Sequence, residues 1–302
     1  MNQQVSPQVP PQQPVCLWAV GAELGEGPLW HAATRTVYFV DIKGRQVLCC
    51  SEDGTLRRSW TAHQQIGFIV PVAGGGFVCG LEDGLYRFDP VSGEFSTLRS
   101  VEHNLPGNRF NDGYVDAHGA LWFGSMDNSE ERPSGSLYRL GAGRGLSVQD
   151  SGYIITNGPA VSPDGKTLYH TDTLKKQIYA FDLLPDGGVA NKRSFVTIQG
   201  EGYPDGMAVD ADGCVWIALF GGARIERYSA QGALLGQVAF PCPNITKLAF
   251  GGDDLRTVFV TTARKGMSDE ARARLPLAGG LFSFRVETPG LAQHEFSIGA
   301  SA

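Results

Sequence analysis

One short motif recurs along the chain and restricts the possible fold more than any other feature. A polar residue and a glycine lead into an apolar run, an Asp/Gly turn follows, and a second apolar run comes next. The clearest copy spans residues 203–219, similar copies begin near residues 26, 111 and 157, and degenerate copies begin near 67 and 245. The copies start roughly 40 to 48 residues apart, with four predicted strands in each, and this period is typical of propeller blades.

The repeats therefore predict an all-β fold, a six-bladed β-propeller with four-stranded blades and a central metal site, over residues 15–302. Residues 1–14 are rich in Gln and Pro and are predicted to form a disordered tail. We expect an apolar run at residues 15–20 to pair with the last blade, because an open ring would leave two unpaired edges. Residues 268–275 are the one helical stretch that the pattern indicates, with Ser268 as its cap.

Composition limits the partners. The net charge of −6 argues against a nucleic-acid or acidic membrane partner, because both need a basic face. No run of 18 apolar residues exists, and the N-terminal stretch lacks the basic and apolar regions of a secretory signal. Six cysteines without CxxC spacing suit free thiols in a reducing compartment. We expect a cytoplasmic monomer that acts on a small molecule.

Four polar residues hold the same place in different copies of the motif, namely Glu26, Asn111, Asn157 and Asp205. The innermost strand of each blade lines the channel of a propeller, so these side chains are predicted to converge. Two carboxylates and two amide oxygens suit a hard divalent cation. The alternative is that Asn and Asp before Gly are ordinary turn residues. Glu is a poor turn residue, and Glu26 therefore favours the metal site.

Several short motifs together carry a resemblance to a known family. They are GEGPLW at 25–30, RFNDG at 109–113, TNG at 156–158, SPDG at 162–165 and YPDG at 203–206. The chain resembles the SMP-30/gluconolactonase/regucalcin-like (LRE) family, and within it most the bacterial sugar lactonases such as xylonolactonase. Residues 169–173 and 261–266 add to the likeness with pentonolactonases. No Gly-x-Ser-x-Gly elbow is present to support a serine hydrolase.

The resemblance implies roles for individual residues. Glu26, Asn157 and Asp205 would bind one divalent metal cation, and Ca²⁺, Zn²⁺, Mn²⁺, Mg²⁺ and Fe²⁺ are all candidates. Asp205 is the candidate for water activation, and Arg109 and Asn111 would bind the sugar lactone. An acidic substrate-binding residue is expected after residues 124–126, and Asp127, Glu130 and Glu131 all remain open.

The predicted reaction is metal-dependent opening of an aldonolactone to the aldonic acid, in sugar catabolism. A pentonolactone, such as xylono- or arabinono-lactone, and gluconolactone are the candidate substrates. The alternative is a regucalcin-like calcium-binding regulatory protein without significant lactonase activity. Asp112, next to the lactone-binding motif, is expected to have a structural role.

Overall fold

The computed structural model describes residues 13–141 and 145–298, in which 24 strands and one short helix form. The strands make six antiparallel sheets of four strands each. The all-β, six-bladed prediction is therefore confirmed. Most of the stretch predicted to be a tail, residues 1–12, lies outside the described residues.

The blades follow one another along the chain, each from its inner to its outer strand. Blade one contains β2 (Gly25–His31), β3 (Thr36–Asp41), β4 (Gln46–Ser51) and β5 (Arg57–Thr61), and blade two contains β6 (Phe68–Pro71), β7 (Phe77–Gly80), β8 (Gly84–Phe88) and β9 (Phe95–Ser100). Blade three contains β10 (Asn108–Val115), β11 (Leu121–Asp127), β12 (Gly135–Gly141) and β13 (Gly145–Tyr153), and blade four contains β14 (Thr156–Val161), β15 (Thr167–Asp172), β16 (Gln177–Leu183) and β17 (Val189–Thr197). Blade five contains β18 (Tyr203–Val209), β19 (Val215–Phe220), β20 (Arg224–Tyr228) and β21 (Leu234–Ala239). Blade six contains β22 (Asn244–Gly251), β23 (Thr257–Ala263), β24 (Leu281–Arg285) and β1 (Val15–Trp18).

The N-terminal strand closes the ring. β1 pairs antiparallel with β24, with Cys16 opposite Phe282, so that one sheet contains strands from both ends of the described chain. This confirms the predicted closure, although the strand ends at Trp18 rather than at residue 20.

The hydrophobic core lies between the blades. Inner strands such as β2 are buried on both faces, whereas outer strands such as β5 are largely exposed. Six clusters of buried apolar side chains form, and each joins the facing surfaces of two adjacent sheets. In one of them Trp30 of blade one stacks on Phe259 of blade six, with ring centroids 5.6 Å apart. Burial of apolar area between sheets thus holds the ring together.

The Asp/Gly turn of the repeat is fixed by its own side chain. In blade five Asp210 accepts the backbone N–H groups of Asp212 and Cys214, and its second oxygen accepts the indole N–H of Trp216 at 2.8 Å. Asp116 binds Trp122 in the same way in blade three. These turns lie at the end of the inner strands, which we call the lower mouth of the channel. The strand starts form the upper mouth.

The C-terminal segment, residues 286–298, crosses the lower mouth. Ala211 of blade five donates to the Pro289 carbonyl, Ala73 of blade two donates to the Phe296 carbonyl, and Ser297 donates to a carbonyl of blade three. The channel above it narrows to a cavity of about 60 Å³ lined in part by Phe68 and Lys247. The segment therefore closes the channel from below.

The one helix of the described residues is α1 (Asp269–Arg274), in the connection between β23 and β24. Ser268 caps it as predicted, because its hydroxyl accepts the Ala271 N–H at 3.2 Å. None of the helical structure in residues 13–141 and 145–298 is long and apolar enough to cross a bilayer.

Candidate active site

The four predicted polar residues occupy equivalent positions at the upper mouth. Glu26, Asn111, Asn157 and Asp205 lie near the starts of the inner strands β2, β10, β14 and β18, and all are at most 6% exposed. Each of these strands loses its regular register with the second strand beside the polar residue. A bulge turns a strand locally and redirects its side chains, which explains how residues of four blades point to one place.

An amide relay connects three blades at this mouth. Arg109 donates from Nη1 to the Asn111 side-chain oxygen at 2.6 Å, and the Asn111 amide donates to the Asn157 Oδ1 at 2.9 Å. Asn157 donates to the Thr173 hydroxyl at 2.8 Å, which in turn donates to the Pro204 carbonyl. With a further bond from Asn111 to the Thr156 carbonyl, Asn111 has three partners and Asn157 has two, so the side chains of blades three, four and five are fixed relative to one another.

The two predicted carboxylates, Glu26 and Asp205, lie beside each other within hydrogen-bonding reach. Burial raises the pKa of Glu26, and the nearby Asp112 carboxylate raises it further. Burial also raises the pKa of Asp205 well above its usual value, with Glu26 as the next cause. Two like charges in a desolvated place oppose ionisation, and a cation between them would favour it.

Asp112 forms a buried ion pair across the channel. Lys247, from the bulge of β22 in blade six, donates to Asp112 Oδ1, which also accepts the Gly113 N–H at 2.7 Å. Burial raises the pKa of Asp112, and the Lys247 charge opposes that rise. The predicted structural role of Asp112 thus includes this ion pair, which the sequence pattern did not reveal. Lys247 brings a positive charge below the two candidate metal-binding carboxylates.

The rim of the upper mouth carries further cations. The Asn128 side-chain oxygen accepts from Lys43 Nζ at 3.0 Å and from Arg109 Nε at 3.2 Å. Lys265 of blade six pairs with Glu130 of blade three. Burial lowers the pKa of Arg109 to about 10, and the Glu130 carboxylate is the leading opposing influence. The rim therefore has Arg109 near Lys43 and Lys265, and Glu130 is the carboxylate with the largest electrostatic effect on Arg109.

The structure separates the three acidic candidates of the blade-three insertion. Asp127 is fully buried and accepts from the backbone N–H groups of Glu131 and Arg132 and from the Arg132 side chain at 2.8 Å, so it organises the loop. Glu130 faces Lys265 at the rim. Glu131 is exposed, and Glu130 is the one of the three whose charge acts on Arg109.

The donor set at this mouth fits a hard divalent cation. In the described residues no group of three or more His, Cys, Asp or Glu has the arrangement of a metal site. A cation at the upper mouth would therefore combine the Glu26 and Asp205 carboxylates with the Asn157 amide oxygen, and hard cations accept such oxygens. The raised carboxyl pKa values agree with this, because burial and the repulsion between neighbouring carboxylates oppose ionisation, which a cation between them would favour.

These features define a class of protein, a six-bladed propeller whose buried polar groups converge on one mouth of its channel. Residues 24–264 match the SMP-30/Gluconolactonase/LRE-like region, and the chain belongs to that family. The family resemblance inferred from the short motifs is therefore confirmed.

Relatives in this family cover almost the whole chain. A Pseudomonas putida protein named 6-deoxy-6-sulfogluconolactonase is 34% identical over 286 residues, which are 93% of this chain and 98% of that protein. An Azospirillum brasilense protein named L-arabinolactonase is 37% identical over 279 residues, or 91% of this chain and 92% of that protein. The crystal structure of a calcium-binding protein, regucalcin, from Agrobacterium tumefaciens superposes with a TM-score of 0.89 at 27% identity, covering 93% of this chain and 96% of that one.

Proposed function

We propose that the protein hydrolyses a sugar lactone to its aldonic acid at the upper mouth, with one divalent cation bound by Glu26, Asn157 and Asp205. The observation that carries the proposal is the buried pair of carboxyl groups beside an amide that the relay from Arg109 holds in place. The names of the relatives support a sugar lactone as the substrate class.

Arg109 and Asn111 are the proposed substrate-binding residues. The protein contacts of the Arg109 guanidinium use Nε and Nη1, and the remaining donor group, Nη2, is proposed for a lactone oxygen. Charge-assisted hydrogen bonds of this kind are about twice as strong as neutral ones. Glu130, on the same blade, is the proposed acceptor for a sugar hydroxyl, in agreement with its position near Arg109.

The proposed reaction is addition of water to the ring carbonyl. The water oxygen bonds to the carbonyl carbon, and the Asp205 carboxylate accepts the water proton. The carbonyl re-forms as the ring C–O bond breaks, and the ring oxygen takes up the proton that Asp205 accepted, which gives the open hydroxy acid and restores the Asp205 carboxylate. When bound, the divalent cation would polarise the carbonyl and lower the pKa of a bound water molecule to about 7. The rim residues Lys43, Arg109 and Lys265 provide positive charge towards the aldonate product.

Metal content and activity test the site together. We expect Glu26→Gln, Asn157→Ala and Asp205→Asn each to lower bound divalent metal, measured by inductively coupled plasma mass spectrometry. Each should also lower lactone hydrolysis, followed with a pH indicator, by about 100-fold or more. Glu94→Gln, which removes an exposed carboxylate on blade two, is the matched control and should change neither. Full metal content and activity in all three variants would refute the proposed site.

A substrate panel tests the reaction class. Apo protein reloaded with Ca²⁺, Zn²⁺, Mn²⁺, Mg²⁺ or Fe²⁺ in turn should open at least one of xylono-, arabinono- and gluconolactone. The second candidate function is that of a calcium-binding regulatory protein, favoured by the similarity to the Agrobacterium regucalcin. Calcium binding by calorimetry without turnover of any lactone would select it. The monomeric state and cytoplasmic location stay predictions, which size-exclusion chromatography and cell fractionation would check.

A further inference from the structure

A second cavity opens at the lower mouth, on the opposite side of the ring from the candidate active site. It measures about 500 Å³ and lies between blades three and four, beside the C-terminal segment. Its lining includes Trp122 and Arg139 of blade three, Gly187 of blade four, and two histidines, His118 and His294. A space of this size holds a small metabolite.

Arg139 has an unusual environment in this cavity. It is 9% exposed, and its guanidinium carbon lies over the Trp122 ring, 5.5 Å from the centroid. A Cβ atom at Gly187 would come within 2.5 Å of that carbon, so the glycine packs closely against the guanidinium. Within the described residues the guanidinium has no hydrogen-bond acceptor and no ion-pair partner, and Nε is fully buried without either.

The corresponding arginine of blade five shows what blade three lacks. Arg227 lies over Trp216 at a similar distance, 5.4 Å, but it also forms an ion pair with Asp210 at 2.7 Å. In blade three the equivalent carboxylate, Asp116, accepts from Trp122 and from two backbone N–H groups. It makes no ion pair with Arg139 among the described residues, so the Arg139 guanidinium has no carboxylate partner at the cavity wall, of which Asp116 is also a part.

A buried cation without a partner is unfavourable unless something binds it. A guanidinium presents five N–H donors in a planar fork, which matches the oxygens of a carboxylate or a phosphate. Contacts with Trp122 and Gly187 restrict the position of that fork. The donors of His118 and His294 lie in the same lining and add to its suitability for an anion.

We propose that this cavity is a second ligand site, which binds the oxyanion group of a small metabolite through Arg139. The ligand class is a carboxylate or a phosphate of up to the size of a sugar acid. The site is independent of the lactonase proposal, because it shares no residue with the upper mouth.

Histidine resonances test the proposal at the site itself. The protein is labelled with ¹³C at the histidine Cε1 atoms and titrated at constant pH and ionic strength with inorganic phosphate and, separately, with gluconate. Saturable shifts are expected for His118 and His294, whereas His63 and His103, outside the cavity lining, serve as internal references. A response to phosphate alone, to gluconate alone or to both identifies the source of the oxyanion and supports the site.

Arginine variants assign the binding to Arg139. We expect Arg139→Gln to raise the half-saturating anion concentration by about tenfold or more. Arg193→Gln, a surface arginine of blade four with the same charge change, should leave it unaltered. If Arg139→Gln does not fold, Arg139→Lys keeps the charge but loses the planar fork and should still weaken binding. No saturable shift up to about 10 mM of either anion, or equal affinity in the arginine variants, would show a hydrated arginine only and overturn the proposal.

Discussion

The ion pair between Lys247 and Asp112 offers the sharpest test of how the centre of the ring is stabilised. Lys247→Met keeps the length and the apolar stem of the side chain but removes its charge. Asp112, only 1% exposed, would then lie near Glu26 and Asp205 without a cation. Removing one partner of a buried pair typically costs about 3–5 kcal/mol. That loss corresponds to a fall in melting temperature of about 10 °C for a chain of this size.

The assay is urea unfolding, followed by tryptophan fluorescence in the presence of a chelator, together with a thermal melt. The double variant Asp112→Asn/Lys247→Met separates charge from packing, because the amide oxygen that replaces the Asp112 carboxylate can still accept the Gly113 N–H. We expect the double variant to regain at least half of the lost stability. The role assigned to the pair would be refuted if the free energy of unfolding of the single variant lay within about 1 kcal/mol of that of the parent. It would also be refuted if the double variant were no more stable than the single variant.

Three further predictions concern other parts of the ring. Burial lowers the pKa of His170 to about 3, so the folded protein keeps it neutral while the unfolded chain takes up a proton below about pH 6.5, and this lowers the free energy of unfolding. Between pH 7.5 and pH 5 the free energy of unfolding of His170→Phe should therefore rise by about 2 kcal/mol relative to that of the parent in urea titrations, and an equal pH dependence would contradict this. Gly206→Ala should lower the free energy of unfolding by about 1–3 kcal/mol, because its Cβ would lie 2.4 Å from the Lys247 Cγ. Gly236→Ala, whose Cβ would have no atom within 4 Å, should change that free energy little in the same titrations. Deletion of residues 1–18 removes β1 and should cause aggregation in light scattering, while deletion of residues 1–12 should not; equal solubility of the two would argue against closure by β1.

Much of the fold was readable from the sequence because the repeat combines two local signals. An Asp/Gly turn has a recognisable composition, and each copy places it between two apolar runs of strand length. The turn aspartates accept hydrogen bonds from their own turns, and Asp210, for example, accepts from two backbone N–H groups and from the indole of Trp216. Closure by the N-terminal strand followed from the need to pair an edge, without any motif.

The candidate site was predictable only where its residues share a place in the repeat. Glu26, Asn157 and Asp205 do so, and the structure brings them to one mouth, although their roles remain proposals. Lys247 does not, because it lies in the degenerate sixth copy, inside an apolar run, and meets Asp112 from 135 positions away. The Lys265–Glu130 pair has the same separation and was equally hidden. Contacts between distant loops depend on the bulges and insertions that place them, and these have no periodic signal.

His170 shows that the position of a residue on a strand does not by itself reveal which way its side chain points. It lies on the second strand of blade four and is fully buried against Tyr153, with ring centroids 4.8 Å apart. Neither ring nitrogen has a partner among the described residues. Which face of a strand meets the neighbouring blade depends on register, and one residue of difference exchanges the two faces.

The closure of blade six has a consequence for how the protein is made. β1 leaves the ribosome early, but its partner β24 is synthesised about 260 residues later, which takes roughly 13 to 50 s at ordinary translation rates. During that interval blade one can form, yet its Glu26 has no Asp205 beside it until blade five is complete. The upper mouth is therefore assembled late, and a nascent chain would bring its proposed ligand-binding groups together only as its ring closes.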